Sequence, residues 1–146
     1  MQKSDLLCIG HRGAMGHAPE NTLASISKAL ELGAPWIEVD VYAVDGKLLV
    51  FHDDRLEKKT NGKGYIQEQS FEYLRSLQVK KSDQHIPTLE EVCELIAGEA
   101  GLNVELKGVG TAQPVSDLLE QLVAQGWSRE QFLVSSFNHR ELQVLK

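Results

Sequence analysis

Two carboxylates separated by one residue, Glu38-x-Asp40, and a carboxylate and an amine at the same spacing, Glu105-x-Lys107, are the first places in this sequence where residue type and spacing suggest chemistry. Side chains two apart on an extended chain leave the same face. Carboxylates sharing a buried face repel one another and lose hydration, a cost that a cation or basic side chains must offset. Either pair alone reads as an ordinary half-exposed strand. Taken together, Glu38, Asp40 and Glu105 form an oxygen-rich set converging at one rim and suited to a hard divalent cation, Ca²⁺ or Mg²⁺. A lone loop histidine is ordinarily a surface residue, but His11 and His52 both fall beside this set. Imidazole takes and gives a proton near neutral pH, and phosphodiester hydrolysis needs a base for the attacking oxygen and an acid for the leaving one. Arg12 offers a planar fork to phosphate oxygens and Lys107 a point charge.

Strands and short connections must position these groups. The apolar run at residues 6–9, closed by Gly10, reads as a first buried strand with His11 just past it, followed by a loop over 11–21. Leu23, Ile26 and Leu30 recur at helical spacing after a possible Asn21 cap, and Gly33 with Pro35 stops that helix. Residues 36–44 alternate Ile37, Val39 and Val41 against Glu38, Asp40 and Tyr42, the pattern of a strand. Asp45-Gly46 is a hairpin turn. The return over 48–51 brings His52-Asp53 back beside the strand that carries Glu38 and Asp40. Residues 54–85 are polar, with one weak helical stretch near 71–77, and read as an insertion or lid. Thr88 caps a helix through Leu89, Val92, Leu95 and Ile96, Glu91 completes a capping box, and Gly98 and Gly101 end it. Strands at 102–106 and 132–136, a helix at 115–125 and a helix starting at Arg140 complete the rhythm.

Such alternation implies a parallel sheet with right-handed crossovers. Polar residues at the strand ends, without a glycine-rich fingerprint after the first strand, favour a (β/α)₈ barrel over a doubly wound sheet. With 146 residues, 42% of them hydrophobic and 25% charged, one α/β domain is expected. A net charge of -6 and a pI near 5.3 argue against nucleic-acid binding, and the pairs Lys58-Lys59 and Lys80-Lys81 are too short to reverse that. No stretch is long enough to insert stably in a bilayer, and the N-terminus lacks the pattern of a secretory leader. Cys8 and Cys93 stand without CxxC spacing, which reads as buried free thiols in a reducing compartment, and the expected location is the cytoplasm. HExxH, P-loop and G-x-S-x-G patterns are missing, and His17, His85 and His139 have no companion at ligand spacing.

The motifs in their order resemble the glycerophosphodiester phosphodiesterases. The matching residues are His11-Arg12-Gly13, Pro19-Glu20-Asn21-Thr22, Glu38-x-Asp40, Asp45-Gly46, Phe51-His52-Asp53, Thr60 with Gly62, Pro87-Thr88-Leu89, Glu105-x-Lys107 and Ser135-Ser136-Phe137. The resemblance implies a (β/α)₈ barrel with an insertion after its second strand, here the hairpin and insertion at residues 45–86. It implies hydrolysis of glycerophosphodiesters to glycerol 3-phosphate and an alcohol, with a bound divalent cation. Glu38, Asp40 and Glu105 would be the metal ligands, His11 and His52 the acid and base, Arg12 and Lys107 the phosphate contacts, and Glu20 and Asn21 supporting residues. A whole barrel takes about 250 residues, so the chain is expected to supply about its first half. Produced alone, the chain is expected either to be prone to aggregation or to associate with a second copy that buries its open face. The competing reading is an inactive fragment acting only by association, and a third keeps the fold but takes a lysophospholipid or sphingolipid diester.

Overall fold

The computed structural model describes residues 9–11 and 21–136 of the chain. The expected strand start at 6–8, the loop at 12–20 and the helix from Arg140 lie outside the described residues, as do Cys8, Arg12, His17, Glu20, Phe137 and His139.

Four parallel strands, β1 (Ile9–His11), β2 (Trp36–Val44), β4 (Gly101–Leu106) and β5 (Phe132–Ser136), lie side by side in chain order, and β3 (Lys47–Val50) pairs antiparallel with the end of β2. A doubly wound sheet reverses its strand order at a switch point; this one does not. His11 lies within β1 rather than beyond it, its backbone in register with Glu38. β2 covers the expected residues because its alternation is complete. Asp45 and Gly46 both take positive φ, 53° and 74°, as a tight hairpin turn requires.

The helices α1 (Leu23–Glu31), α3 (Leu89–Ile96) and α4 (Ala112–Ala124) all pack on one face of the sheet. Ile37, Val39 and Val41 of β2 and Leu102, Val104 and Leu106 of β4 meet Ile26, Val92, Ile96 and Val115 in the main core. The opposite face, free of these three helices, holds the polar residues of both strands, and the insertion covers its hairpin end at Tyr42 and Val44. A singly wound parallel sheet with helices on one side is an α/β arrangement consistent with an incomplete barrel.

Three boundaries differ from expectation. Thr22, not Asn21, caps α1: its hydroxyl accepts from the Ser25 N–H at 3.2 Å, and the Ser25 hydroxyl accepts from the Thr22 N–H at 3.3 Å. α3 ends on Ala97 in the left-handed region, φ 52°, whereas Gly101 opens β4. α4 begins three residues before Val115, at Ala112, because Pro114 is tolerated within a first helical turn. The Thr88–Glu91 capping box of α3 forms as read from the sequence.

The insertion is more ordered than its polarity suggests. Leu56, Ile66, Leu74, Leu77 and Ile86 build a second core against Tyr42, Val44, Leu49 and Phe51 of the hairpin. Around it lie a 3₁₀ turn (Ile66–Glu68) and the short helix α2 (Phe71–Ser76). Polar tethers fix the insertion to α1, to the β2–β3 hairpin and to the loop after β4. The Gln84 side chain accepts from the Ala24 N–H at 3.1 Å, Asp45 accepts from the Phe71 N–H at 2.8 Å, and Gln67 donates to the carbonyls of Ala43 and Val109.

Candidate active site

Parity along β2 and β4 decides what faces the helix-free side. Odd residues of β2 and even residues of β4 enter the main core, so Trp36, Glu38, Asp40 and Tyr42 share the other face with Gly101, Asn103 and Glu105. Register sets them in rows: Trp36 opposite Gly101, Glu38 opposite Asn103, and Asp40 opposite Glu105, which in turn lies opposite Ser135 of β5. Trp36 lies across Gly101, where any side chain would run into its indole ring. The polar rows therefore rest on an aromatic floor.

Each acidic group has compensation nearby. Asp40, 3% exposed, accepts an N–H from the Asn21 side chain at 3.2 Å. Glu38 accepts from the Asn103 side chain at 3.4 Å, and Glu105 pairs with the Lys107 ammonium at 3.5 Å. Among the described residues no group of three His, Cys, Asp or Glu side chains converges in metal-binding geometry, which departs from the convergence of three carboxylates expected from the sequence. The donor set is still all oxygen, the kind a hard cation takes. Beside it, Asn21 Oδ1 and Asn103 Oδ1 are buried without a hydrogen-bond partner, acceptors open to positive charge. Chemically, a divalent cation fits this face.

The hairpin brings His52 to the same end of the sheet. The Phe51 N–H donates to the Asp40 carbonyl at 2.9 Å, so the chain leaves β3 directly beside Asp40. His52 Nδ1 lies 2.9 Å from Asp53 Oδ1, and the Tyr42 hydroxyl donates to the His52 carbonyl at 3.3 Å. Burial, followed by the charges of Asp54, Asp40 and Asp53, pushes the Tyr42 phenol up to about 12. It is therefore a firm donor at neutral pH. His52, Asp53 and Tyr42 line an open cleft of about 560 Å³ together with Asp54, Arg55, Lys58 and Lys107. His52 and Lys107, 55 positions apart in the sequence, thus meet in one cleft.

Of the residues singled out in the sequence, the structure groups Glu38, Asp40, Glu105, Lys107 and Asn21 on or beside one face, with His52 at its edge. Arg12 and Glu20 lie outside the described residues, and of His11 only the backbone register is described. Sequence reasoning missed Asn103, Asp53 and Tyr42. Asn103 stands two before Glu105 and Tyr42 two after Asp40, so the parity that identified the carboxylates also pointed to these two. His85, set aside earlier, has its Nδ1 at 2.8 Å from the Leu77 carbonyl within the insertion. Cys93 is a buried free thiol, pushed up to about 12 by burial and by Glu90 and Glu94. Among the described residues no helix is long and apolar enough to cross a membrane.

Comparison with known proteins follows the same lines. The chain matches the model of the glycerophosphoryl diester phosphodiesterase family over residues 11–146. It is 37% identical to a glycerophosphodiester phosphodiesterase of Caldanaerobacter subterraneus subsp. tengcongensis, a match covering 96% of this chain and 61% of the relative. Among solved structures, it is similar to a glycerophosphodiester phosphodiesterase from Agrobacterium tumefaciens, with TM-score 0.84 and 33% identity, covering 94% of this chain and 60% of that one. It is also similar to an Oleispira antarctica phosphodiesterase solved with the product sn-glycerol-3-phosphate, with TM-score 0.80 and 37% identity, covering 92% of this chain and 59% of that one. The chain spans about three fifths of the length of these relatives.

Proposed function

Because the chain belongs to the glycerophosphoryl diester phosphodiesterase family, we propose that the protein hydrolyses glycerophosphodiesters to sn-glycerol 3-phosphate and an alcohol. The scaffold in this reading is a (β/α)₈ barrel, with residues 1–146 as its N-terminal part and 45–86 as the hairpin and insertion after the second barrel strand. The observation that carries the reading is the meeting of His52 and Lys107 in one cleft, with Glu105 at the lysine and Asp40 in the neighbouring register position. An anionic phosphate entering there finds an ammonium group and an imidazole that can exchange a proton.

In this mechanism Lys107 and the Arg12 fork hold the non-bridging phosphate oxygens. His11 and His52 divide the proton transfers, one taking the proton of the attacking oxygen and the other giving one to the leaving alcohol. Asp53 holds the His52 ring by its Nδ1, which leaves Nε2 for the reaction. Glu38, Asp40 and Glu105 would hold a Ca²⁺ or Mg²⁺ ion, which when bound draws charge from a phosphoryl oxygen. Asn21 supports Asp40, and Glu20 has the same supporting role. The buried thiol of Cys93 accords with a cytoplasmic setting.

Release of glycerol 3-phosphate from glycerophosphocholine tests the reading. His11→Ala and His52→Ala should each lower turnover by about a hundredfold or more, and exhaustive chelation should abolish it. Turnover that survives both histidine changes and chelation would sink it.

A second reading concerns association. Among the described residues the outer edge of β5 has no strand partner, and Leu133 on the helix-free face is 52% exposed. A sheet edge and apolar surface of this kind favour pairing with a second copy of the chain. Light scattering on the chain decides it: a monodisperse monomer at micromolar concentration would rule that pairing out.

A further inference from the structure

The two carboxylates of β2 are held in the same way from opposite sides. Asn21, just before α1, donates its side-chain N–H to Asp40 at 3.2 Å, and Asn103, on β4, donates to Glu38 at 3.4 Å. In both asparagines the other end of the amide, Oδ1, is buried without a hydrogen-bond partner. Reversing either amide would turn its oxygen against a carboxylate, so the carboxylates fix the orientation.

A buried acceptor left unpaired is costly, and native structures hold few of them. Asn103 is also a poor choice for a strand, where β-branched and aromatic residues fit better. It sits between Leu102 and Val104, on the helix-free face, in the row shared with Glu38 and Leu133. An asparagine kept only for packing would be expected to satisfy both ends of its amide. This one serves a single carboxylate and leaves its oxygen orphaned, and an asparagine on a different element does the same for the carboxylate two residues along.

We propose that Asn103 is a positioning residue for Glu38, matched to Asn21 at Asp40, and that the pair sets the orientation of the two carboxylates before a cation arrives. The inference rests on reading Glu38 as a ligand for a divalent cation. The side-chain amide acts through Glu38. It limits the rotamers of Glu38, so that fewer must be frozen when the ion binds.

The two roles separate when stability and binding are measured together on the full chain. Asn103→Leu keeps the volume, removes the donor and removes the orphan oxygen. The thermal midpoint without metal should stay the same or rise, while Mg²⁺ or Ca²⁺ affinity by calorimetry falls about tenfold or more, as it does on loss of groups that orient a ligand. Asn103→Ala guards against poor fit of leucine and should show the same loss of affinity. Unchanged cation affinity in both variants overturns the inference and leaves the phosphodiesterase reading standing. A wild-type chain that binds the cation, weakens as described in the variants and yet hydrolyses no glycerophosphodiester leaves the inference intact and removes the proposed activity. Absence of saturable binding in the wild type overturns the inference outright.

Discussion

His52 and Asp53, neighbours in sequence, face each other with Nδ1 and Oδ1 2.9 Å apart. On a strand they would point to opposite faces; they meet because β3 ends at Val50 and the chain turns out of the sheet. The contact chooses which imidazole nitrogen is left for the cleft.

Asp53→Asn keeps a hydrogen-bonding group of the same shape but removes the charge that steadies the ring. Turnover should fall by about ten- to a hundredfold with KM little changed, and Asp53→Ala should do no better. Steady-state kinetics on glycerophosphoethanolamine measures this. A normal kcat in both variants would free His52 from its dependence on Asp53.

Arg75 links the insertion to α3 through one guanidinium: it donates to the Ile86 carbonyl at 2.7 Å and to both Glu91 oxygens at 2.8 and 2.9 Å. Burial raises the Glu91 carboxyl, but Arg75 and the Thr88 N–H outweigh that and hold it below its ordinary value. A lowered folded value means that the contribution is fully present above the unfolded pKa of 4.5 and is lost as the pH falls through the folded one. Arg75→Ala should cost about 1–2 kcal/mol at neutral pH, the pair being a third exposed. The difference in melting temperature between wild type and variant should narrow as the pH drops below 4.5. A gap that stays constant into acid would assign the loss to packing instead.

Gly101→Ala places a methyl group against the Trp36 ring at the base of the polar rows. The backbone cannot yield freely, because the Gly101 N–H donates to the Pro35 carbonyl at 2.8 Å. Overpacking of this kind costs about 1–3 kcal/mol. Urea denaturation gives the value, and tryptophan fluorescence should report the displaced indole. Wild-type stability with unchanged emission would mean that the methyl group is taken up without displacing the ring.

Ala97 closes α3 in the left-handed region, where a β-carbon is strained and glycine is not. The residue is exposed, so nothing is lost by removing its methyl group. Ala97→Gly should stabilise the chain by about 0.5–1 kcal/mol, a shift visible in the thermal midpoint. A lower midpoint would show that the greater freedom of glycine in the unfolded chain wins.

Elements were legible where a local pattern is complete. β2 and β5 follow from alternation and apolar content, and the start of α3 from Thr88 and Glu91 at capping-box spacing. The second core was not legible. Leu56, Ile66, Leu74, Leu77 and Ile86 are scattered through polar sequence with neither period, and only the hairpin face supplied by Tyr42, Val44, Leu49 and Phe51 gathers them. At the site, parity along β2 and β4 identified Glu38, Asp40 and Glu105 as neighbours, but the amide and ammonium groups that contact them are tertiary facts. Asn103 stood at the right parity and still escaped notice, since a neutral amide between two apolar residues carries no charge pattern to betray it.

The β2–β3 hairpin serves two masters, with Val41, Leu48 and Val50 in the main core and Tyr42, Val44 and Leu49 in that of the insertion. Because each core closes on its own residues, a change in one is expected to be felt mainly there. The insertion lends Asp54, Arg55 and Lys58 to the cleft wall, so substitutions in it are expected to alter what the cleft admits while the rows around Asp40 and Glu105 keep their register. With a core of its own, it is expected to open as a unit, its amides exchanging with solvent while the parallel strands stay paired.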